Sequence, residues 1–375
     1  MIDPLILDLL TRRSISPADD GCQALLTKEL KSLGFNVEPL NRANVSNLWA
    51  KKLGRCQSTL LFAGHTDVVP TGSIANWLFD PFSPTVAGEY LYARGAADMK
   101  IALCCMVLAC KDFITDYPDH NGSIAFLITS CEEKTTENGT KYAMGELCNN
   151  RQEKPAWCIV GEASSQKKLG DQIKIGRRGS LTAELQIFGR QGHIAYPDLA
   201  INPIHQSFLA LEDLIKTKWD EGNEFFSPTS CQISSIQSGG EASNIIPGEL
   251  NTIFNFRYST EISAEIIKDR VRKILDAHNI KYHLKWSHSG KPFLTKAGNL
   301  VVCVEKAIKD IVQLKPRHST TGGTSDARFI APYGVETIEL GFCSETIHQA
   351  NERILVEDIL KLKNIYYQTM KYLLL

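Results

Sequence analysis

Short, uniformly apolar runs alternate with stretches of helical spacing over the first 160 residues. Thr59 to Gly64, Ser123 to Thr129 and Ala156 to Val160 are too short for helices and read as buried strands. Between the first two, Ile101 to Phe113 has the length and apolar content of a buried helix. Nearer the start, Ile6 to Leu10 and Ala24 to Leu33 repeat at helical intervals, with Gly34 as a stop signal. Buried strands alternating with helices predict α/β layers around a mostly parallel sheet.

The pattern changes near residue 180. Leu181, Ala183, Leu185 and Ile187 alternate with polar residues, as in a half-exposed strand. Asn202 to Lys218 reads as a helix with Asn202 at its N-cap and Pro203 in its first position. Ser230 to Gln237 and Leu250 to Tyr258 read as strands, Ser263 to His278 as a helix, and Lys281 to Trp286 as a strand. The order β-α-β-β-α-β is the split βαβ pattern of a ferredoxin-like α+β sandwich. After Pro292 the first pattern resumes, with helices at Asn299 to Ile311 and Val356 to Leu374 and a strand at Thr337 to Gly341. The reading is therefore a catalytic α/β domain, 1–178 with 291–375, interrupted by an inserted domain, 179–290.

A chain of 375 residues agrees with two domains. With 41 basic against 42 acidic residues it has no basic excess, which argues against binding nucleic acid or a membrane surface. No apolar run reaches the roughly 20 residues of a membrane span. Eleven cysteines without a CxxC pair, behind a start that has no secretory pattern, read as reduced thiols in a cytoplasmic protein.

Five short motifs carry candidate chemistry. Gly64-His65-Thr66-Asp67, Cys131-Glu132-Glu133, Gly161-Glu162 and Thr346-Ile347-His348 place His, Asp or Glu soon after apolar strands, where an α/β sheet opens its ligand crevice. In the first, His65 could ligate a metal while Asp67 orients its ring. A capping Asp beside a polar His is the plain alternative. Arg94-Gly95-Ala96-Ala97-Asp98-Met99-Lys100 turns tightly before a helix, with Asp98 either at the site or merely an N-cap. Glu132 and Glu133 repel each other unless a cation or proton intervenes, or unless they form a solvated turn. Glu162 and His348 are single residues, and each alone is weak. Together, two histidines and four acids form an N/O donor set suited to two divalent ions, zinc first, with cobalt or manganese as substitutes.

With further segments, these motifs resemble the dinuclear zinc aminoacylase/carboxypeptidase family nearly end to end. The segments are Gly64-His65-Thr66-Asp67-Val68-Val69-Pro70-Thr71-Gly72, the Arg94 to Lys100 turn, Gly176-Arg177-Arg178-Gly179-Ser180, Gln191-Gly192-His193-Ile194-Ala195-Tyr196-Pro197, Asn244 to Glu249, Phe254-Asn255-Phe256-Arg257 and Gly322-Gly323-Thr324-Ser325-Asp326-Ala327-Arg328. The arginine-rich, His-Tyr-Pro and Gly-Gly-Thr-Ser segments narrow the resemblance to the desuccinylases of that family.

The resemblance implies two zinc ions per subunit. Asp98 would bridge them, His65 and Glu162 would complete one site, and Glu133 and His348 the other. Glu132 would be the general base activating a metal-bound water, with Asp67 behind His65. The substrate would be an acylated diamino acid, N-succinyl-LL-2,6-diaminoheptanedioate, cut to succinate and LL-2,6-diaminoheptanedioate. The inserted domain would serve as lid and homodimer interface. From it, His193 and Asn244 would act in the partner's site, His193 on the oxyanion. Arg178, Ser180, Tyr196, Arg257, Gly323 and Thr324 would line the pocket. Three positions depart from the family pattern: Cys131 replaces an Asp, Ile101 a Gly, and Ser344 an Asn. Close rivals are other amidohydrolases of the family, such as an acetylornithine deacetylase, an aminoacylase or a dipeptidase. A binding homologue without catalysis is a further rival, set against a complete ligand and base set.

Overall fold

The computed structural model describes residues 2–134, 137–240 and 242–375. The chain divides into two compact units, residues 1–176 with 295–319 and 325–375, and residues 177–294 with 320–324.

The first unit is built on an eight-stranded mixed sheet. Its order is Asn36–Pro39, Asn47–Lys52, Ser123–Thr129, Thr59–His65, Trp157–Val160, Glu336–Glu339, Gln172–Lys174 and Arg317–Ser319. The four strands from Ser123–Thr129 to Glu336–Glu339 are parallel to one another. Asn36–Pro39 and Asn47–Lys52 add an antiparallel edge. Every residue of Thr59–His65 and Ser123–Thr129 is buried, as expected of strands covered on both faces. The helix Lys100–Asp116 is buried along most of its length and packs against Val356–Leu374, which also packs against Asn299–Val312. The α/β expectation is met, and the strands and helices that carried it lie within a few residues of their expected bounds.

Four strands of this sheet had gone unread. Asn36–Pro39, Gln172–Lys174 and Arg317–Ser319 are three or four residues long with polar members, and Asn47–Lys52 ends in two lysines. None shows a periodicity of its own; each exists because a neighbouring strand offers its backbone groups a ladder.

The second unit contains a four-stranded antiparallel sheet in the order Ser230–Ser238, Glu249–Tyr258, Gly179–Phe188, Tyr282–Gly290. Helices Pro203–Lys216 and Ala264–Ala277 complete the ferredoxin-like order. Asn202 caps the first, its side chain accepting from the Ile204 amide, with Pro203 in the first turn. Ser263 caps the second. The core joins Leu181, Ala183, Leu185 and Ile187 from one strand to Leu211, Leu214, Ile267 and Val271 from the helices. The loop 320–324, expected in the catalytic domain, clusters with this unit. Arg177 donates to the Thr321 carbonyl at 2.8 Å, and Thr320 to the Phe225 carbonyl at 2.5 Å.

In the first unit, Gly341 follows the strand Glu336–Glu339 by two residues and lies against the main chain of Gly161 and Glu162. A Cβ there would meet the Glu162 carbonyl oxygen at 2.4 Å and the Gly161 oxygen at 2.6 Å. Backbone atoms cannot swing aside as a side chain does. Gly341→Ala is expected to lower stability by about 1–3 kcal/mol, read from urea unfolding. An unchanged midpoint would refute the close-approach argument.

Candidate metal centre

The parallel strands deliver the site. His65 is the last residue of Thr59–His65, and it pairs with Thr129 at the end of the neighbouring strand. Glu132 and Glu133 follow that neighbour. Glu162 follows Trp157–Val160, whose Val160 pairs with Ala63 on one side and Glu339 on the other. One register thus brings His65, Glu132, Glu133 and Glu162 to the same sheet edge. His348 arrives from the segment after Glu336–Glu339, and Asp98 from the turn before Lys100–Asp116.

The side chains converge. His65 Nε2 lies 3.2 Å from Asp98 Oδ1 and 3.8 Å from Glu162 Oε1. His348 Nε2 lies 3.2 Å from Asp98 Oδ2 and 2.9 Å from Glu133 Oε1. Each oxygen of Asp98 therefore faces a different histidine. Two overlapping triads, His65-Glu132-Glu162 and His65-Asp98-Glu133, each offer donor atoms within 4.8 Å of one another.

The plain structural alternatives fail on these contacts. The helix Lys100–Asp116 begins at Met99 without a side-chain cap, so Asp98 is not an N-cap. Asp98 Oδ1 is buried and makes no hydrogen bond. Glu133 has a side chain only 8% exposed, so it does not belong to a solvated acidic turn.

Asp67 orients His65, by a different atom than expected. The His65 Nδ1 contact is the main-chain carbonyl of Asp67 at 2.8 Å, while the nearer carboxylate oxygen is 3.6 Å away. A carbonyl only accepts, so Nδ1 carries a proton, and Nε2 is the nitrogen that faces the acids. The carboxylate of Asp67 is used elsewhere. It accepts from the amides of Glu132 and Glu133, each at 3.1 Å, and holds the turn that presents them.

Sequence reasoning missed Glu352. Its buried carboxylate accepts from the Arg94 guanidinium at 2.7 Å and from the amides of Gly95, Ala97 and Asp98 at 3.0, 2.8 and 3.1 Å. Its only signal in the chain is an acid four residues after His348. Of the departures, Cys131 is a buried cysteine in no disulfide and outside both donor triads, and Ile101 is buried in its helix. The Ser344 amide donates to the Ser165 carbonyl at 3.1 Å.

The remaining candidates belong to the second unit. His193 and Asn244 are neighbours there: Gly192–His193 pairs with Ile245–Ile246, and the Ile194 amide donates to the Asn244 carbonyl. His193 Nδ1 accepts from the Ala195 amide at 3.1 Å, which leaves Nε2–H free to donate. The Tyr196 ring lies 5.7 Å from that imidazole. Ser180 and Arg257 sit opposite each other in the sheet, and Asn255 donates to Ser180 Oγ. Arg178 precedes that strand, and Gly323 and Thr324 lie in the loop 320–324.

Residues 61–372 match the model of peptidase family M20/M25/M40. The chain belongs to that family. Among its relatives, succinyl-diaminopimelate desuccinylase of Acinetobacter baumannii (strain ACICU) is 50% identical over 99% of this chain and 97% of its own. The enzyme of that name from Acinetobacter baylyi is 50% identical over 99% and 98%. An M20 metallo-carboxypeptidase from Sulfolobus solfataricus shares the fold with TM-score 0.82 at 18% identity, covering 99% of each chain. A dinuclear metal-binding M20 peptidase from Bacillus subtilis does so with TM-score 0.73 at 13% identity, over 98% and 96%.

The clustered donors fit a pair of divalent cations. Donors about 2.0–2.1 Å from a tetrahedral zinc are about 3.3–3.4 Å apart. The imidazole-to-carboxylate distances here, 2.9 to 3.8 Å, bracket that value. Charge agrees with geometry. Asp67, Asp98, Glu132, Glu133 and Glu162 surround two histidines, so full ionisation leaves an anionic excess even with both rings protonated.

In the metal-free protein, protons answer that excess. Burial pushes the Glu132 carboxyl up to about 8, aided by the charge of Asp326 and opposed by His65 and Arg328. Hydrogen bonds to Asp98 and Glu133 raise His348 to about 10. For His65, burial acts downward, but the direct contact with Asp98 and then the charges of Asp67, Asp98 and Glu162 outweigh it, and the ring is raised.

The sign for stability follows. Both groups hold protons more tightly folded than unfolded. Stability linked to Glu132 falls as pH rises from its ordinary 4.5 through about 8, and that linked to His348 falls from 6.5 through about 10. The melting temperature of metal-free protein is expected to drop between pH 6.5 and 9. Stabilisation by added zinc is expected to grow over the same interval, because protons and cations compete for the same donors. A flat or opposite trend in calorimetry would contradict this electrostatic account.

Proposed function

We propose that this chain is a zinc-dependent succinyl-diaminopimelate desuccinylase. It hydrolyses N-succinyl-LL-2,6-diaminoheptanedioate to succinate and LL-2,6-diaminoheptanedioate, within diaminopimelate and lysine biosynthesis. The observation that carries the reading is 50% identity to relatives of that name over 99% of the chain, together with an intact set of clustered acids and histidines. Zinc is preferred over cobalt or manganese because imidazole and carboxylate donors at these spacings suit it.

Asp98 would be shared between the two ions, with His65 and Glu162 holding one and Glu133 and His348 the other. The ions supply Lewis acidity, which polarises the scissile carbonyl and makes water a nucleophile near neutral pH. Glu132 takes the proton from the attacking water and returns it to the leaving amine. Glu132 stands within the cluster of donors, where a carboxyl can serve both halves of that transfer. Asp67 holds Glu132 and Glu133 by their amides, so the base keeps its place as it gains and loses charge.

The second unit is proposed as lid and dimerisation domain, acting in trans. Support comes from its exposed apolar side chains, Phe208 at 60% and Leu209 at 61% on the helix Pro203–Lys216, and Ile236 at 55% on the strand Ser230–Ser238. His193, with Nε2–H free, stabilises the oxyanion of the partner subunit, and Asn244 beside it contacts substrate there. Arg178 and Arg257 anchor substrate carboxylates, with Ser180, Tyr196, Gly323 and Thr324 around them. None of the eleven cysteines forms a disulfide, in keeping with a reducing cytoplasm. No helix among the described residues is long and apolar enough to cross a membrane.

Chelation is expected to abolish desuccinylase activity and zinc to restore it, and full activity without metal would overturn the proposal. Glu132→Gln is expected to keep its zinc and lose about 10²–10⁴-fold in kcat. N-acetylornithine should be turned over far more slowly than the succinyl substrate; the reverse order would make the chain a deacetylase.

For action in trans, inactive His193→Ala and Glu132→Gln proteins are mixed and allowed to exchange subunits. Activity should return, since one hybrid site then has both residues. No recovery in a mixture shown by sedimentation to contain dimers would reject the trans arrangement.

A further inference from the structure

Glu352 stands outside the donor set, yet it joins two of its arms. The arms are the turn 94–98, which ends in Asp98, and the segment 348–352, which begins with His348. Five donors of the first arm and its approach end on residue 352. The Arg94 guanidinium and the Gly95 amide reach Oε2, the Ala97 and Asp98 amides reach Oε1, and the Ala93 amide reaches the main-chain carbonyl. All four partners of the carboxylate are N–H groups, so only an ionised, acceptor-only side chain satisfies them. The side chain is 1% exposed, which removes water as a competitor. Next to it, Asn351 Oδ1 accepts from the Leu78 amide at 2.6 Å, and its Nδ2 donates to the Asn76 carbonyl at 3.1 Å. Beyond it, Arg353–Leu355 pairs with Tyr90–Tyr92. The segment carrying His348 is thereby laced along the chain that leads to Asp98.

This lacing matters because of what Asp98 must do. Its Oδ1 faces His65 and its Oδ2 faces His348. A carboxylate shared in this way tolerates little rotation of the peptide that carries it. The Asp98 amide is itself one of the groups held by Glu352, so the clamp acts on the bridging residue and not only on its neighbours.

We infer that Glu352 is a positioning residue that couples the two cation positions, holding Asp98 in the orientation that serves both His65 and His348. The inference rests on the metal centre proposed above and extends it to a residue outside the donor set. Loss of the clamp leaves every ligand in the chain but frees the bridge. One ion can still be gathered by whichever oxygen of Asp98 turns toward it. The second then meets a misdirected bridge, and its affinity falls more than that of the first.

The test titrates metal-free protein with zinc against a chromophoric chelator, reading both dissociation constants. Wild type is expected to bind two equivalents. Glu352→Gln replaces an acceptor oxygen by an amide NH2 that opposes N–H groups. Glu352→Asp keeps the charge but falls one methylene short. Both are expected to weaken the second equivalent 10–100-fold, as removal of a residue supporting a metal ligand does, and the first by less. Val304→Ala, a core variant in the helix Asn299–Val312, controls for stability and should stay within twofold of wild type for both equivalents. Second-equivalent affinities within twofold of wild type in either folded Glu352 variant overturn the inference, as does equal weakening of both equivalents. Failure of both variants to fold, seen by circular dichroism, assigns Glu352 to folding and overturns it too. Wild-type protein that binds no zinc would instead sink the proposed function.

Discussion

Unbalanced negative charge at one edge of a buried sheet is the constraint on which the rest depends. Carboxylates in a low-dielectric crevice repel one another at a cost that hydrophobic burial does not offset. Asp98, Glu132, Glu133 and Glu162 meet there around two histidines. Such an assembly persists only if a countercharge is part of its design. Protons serve that need in the metal-free protein, which is why Glu132 and His348 hold theirs far above the ordinary range. Divalent cations serve it better, since each brings two charges to donors already spaced to receive it.

The scaffold makes this cost bearable by being rigid where the acids are attached. Thr59–His65 and Ser123–Thr129 are buried throughout, and their register fixes where His65 and the Glu132-Glu133 turn emerge. The helix Lys100–Asp116 packs against Thr59–His65. The first unit thus acts as a frame whose carboxyl-terminal edge gathers the acids and both histidines.

Within that edge, acids of the same type have different fates, and the donors around them decide which. Asp67 receives two amides and Glu352 receives three amides and a guanidinium. Their oxygens are occupied, and they act as struts. Asp98 Oδ1 is buried with no hydrogen bond, and among the described residues the Glu133 carboxylate meets His348. Those oxygens remain available to a cation. The difference between a structural carboxylate and a ligating one lies in the count of N–H groups aimed at it.

Much of this was legible from the chain. Short apolar runs marked the central strands and helical spacing marked the helices, and the Asn202-Pro203 start of a helix was readable because capping is a local interaction. The residues that converge were identifiable, since acids and histidines placed after buried strands share one edge whenever the strands run parallel. The short strands Gln172–Lys174 and Arg317–Ser319 had no such signal, because they exist only through partners far away in sequence. The role of Glu352 was likewise invisible: its partners lie more than 250 positions earlier. Asp67 was read as the group that orients His65, yet its carbonyl does so while its carboxylate braces a different turn. The chain alone determines which groups are present and which faces must be buried, because both follow from side-chain chemistry and local period. Which donor meets which acceptor is settled by tertiary structure, because a hydrogen bond depends on distances of tenths of an ångström between segments that only folding brings together.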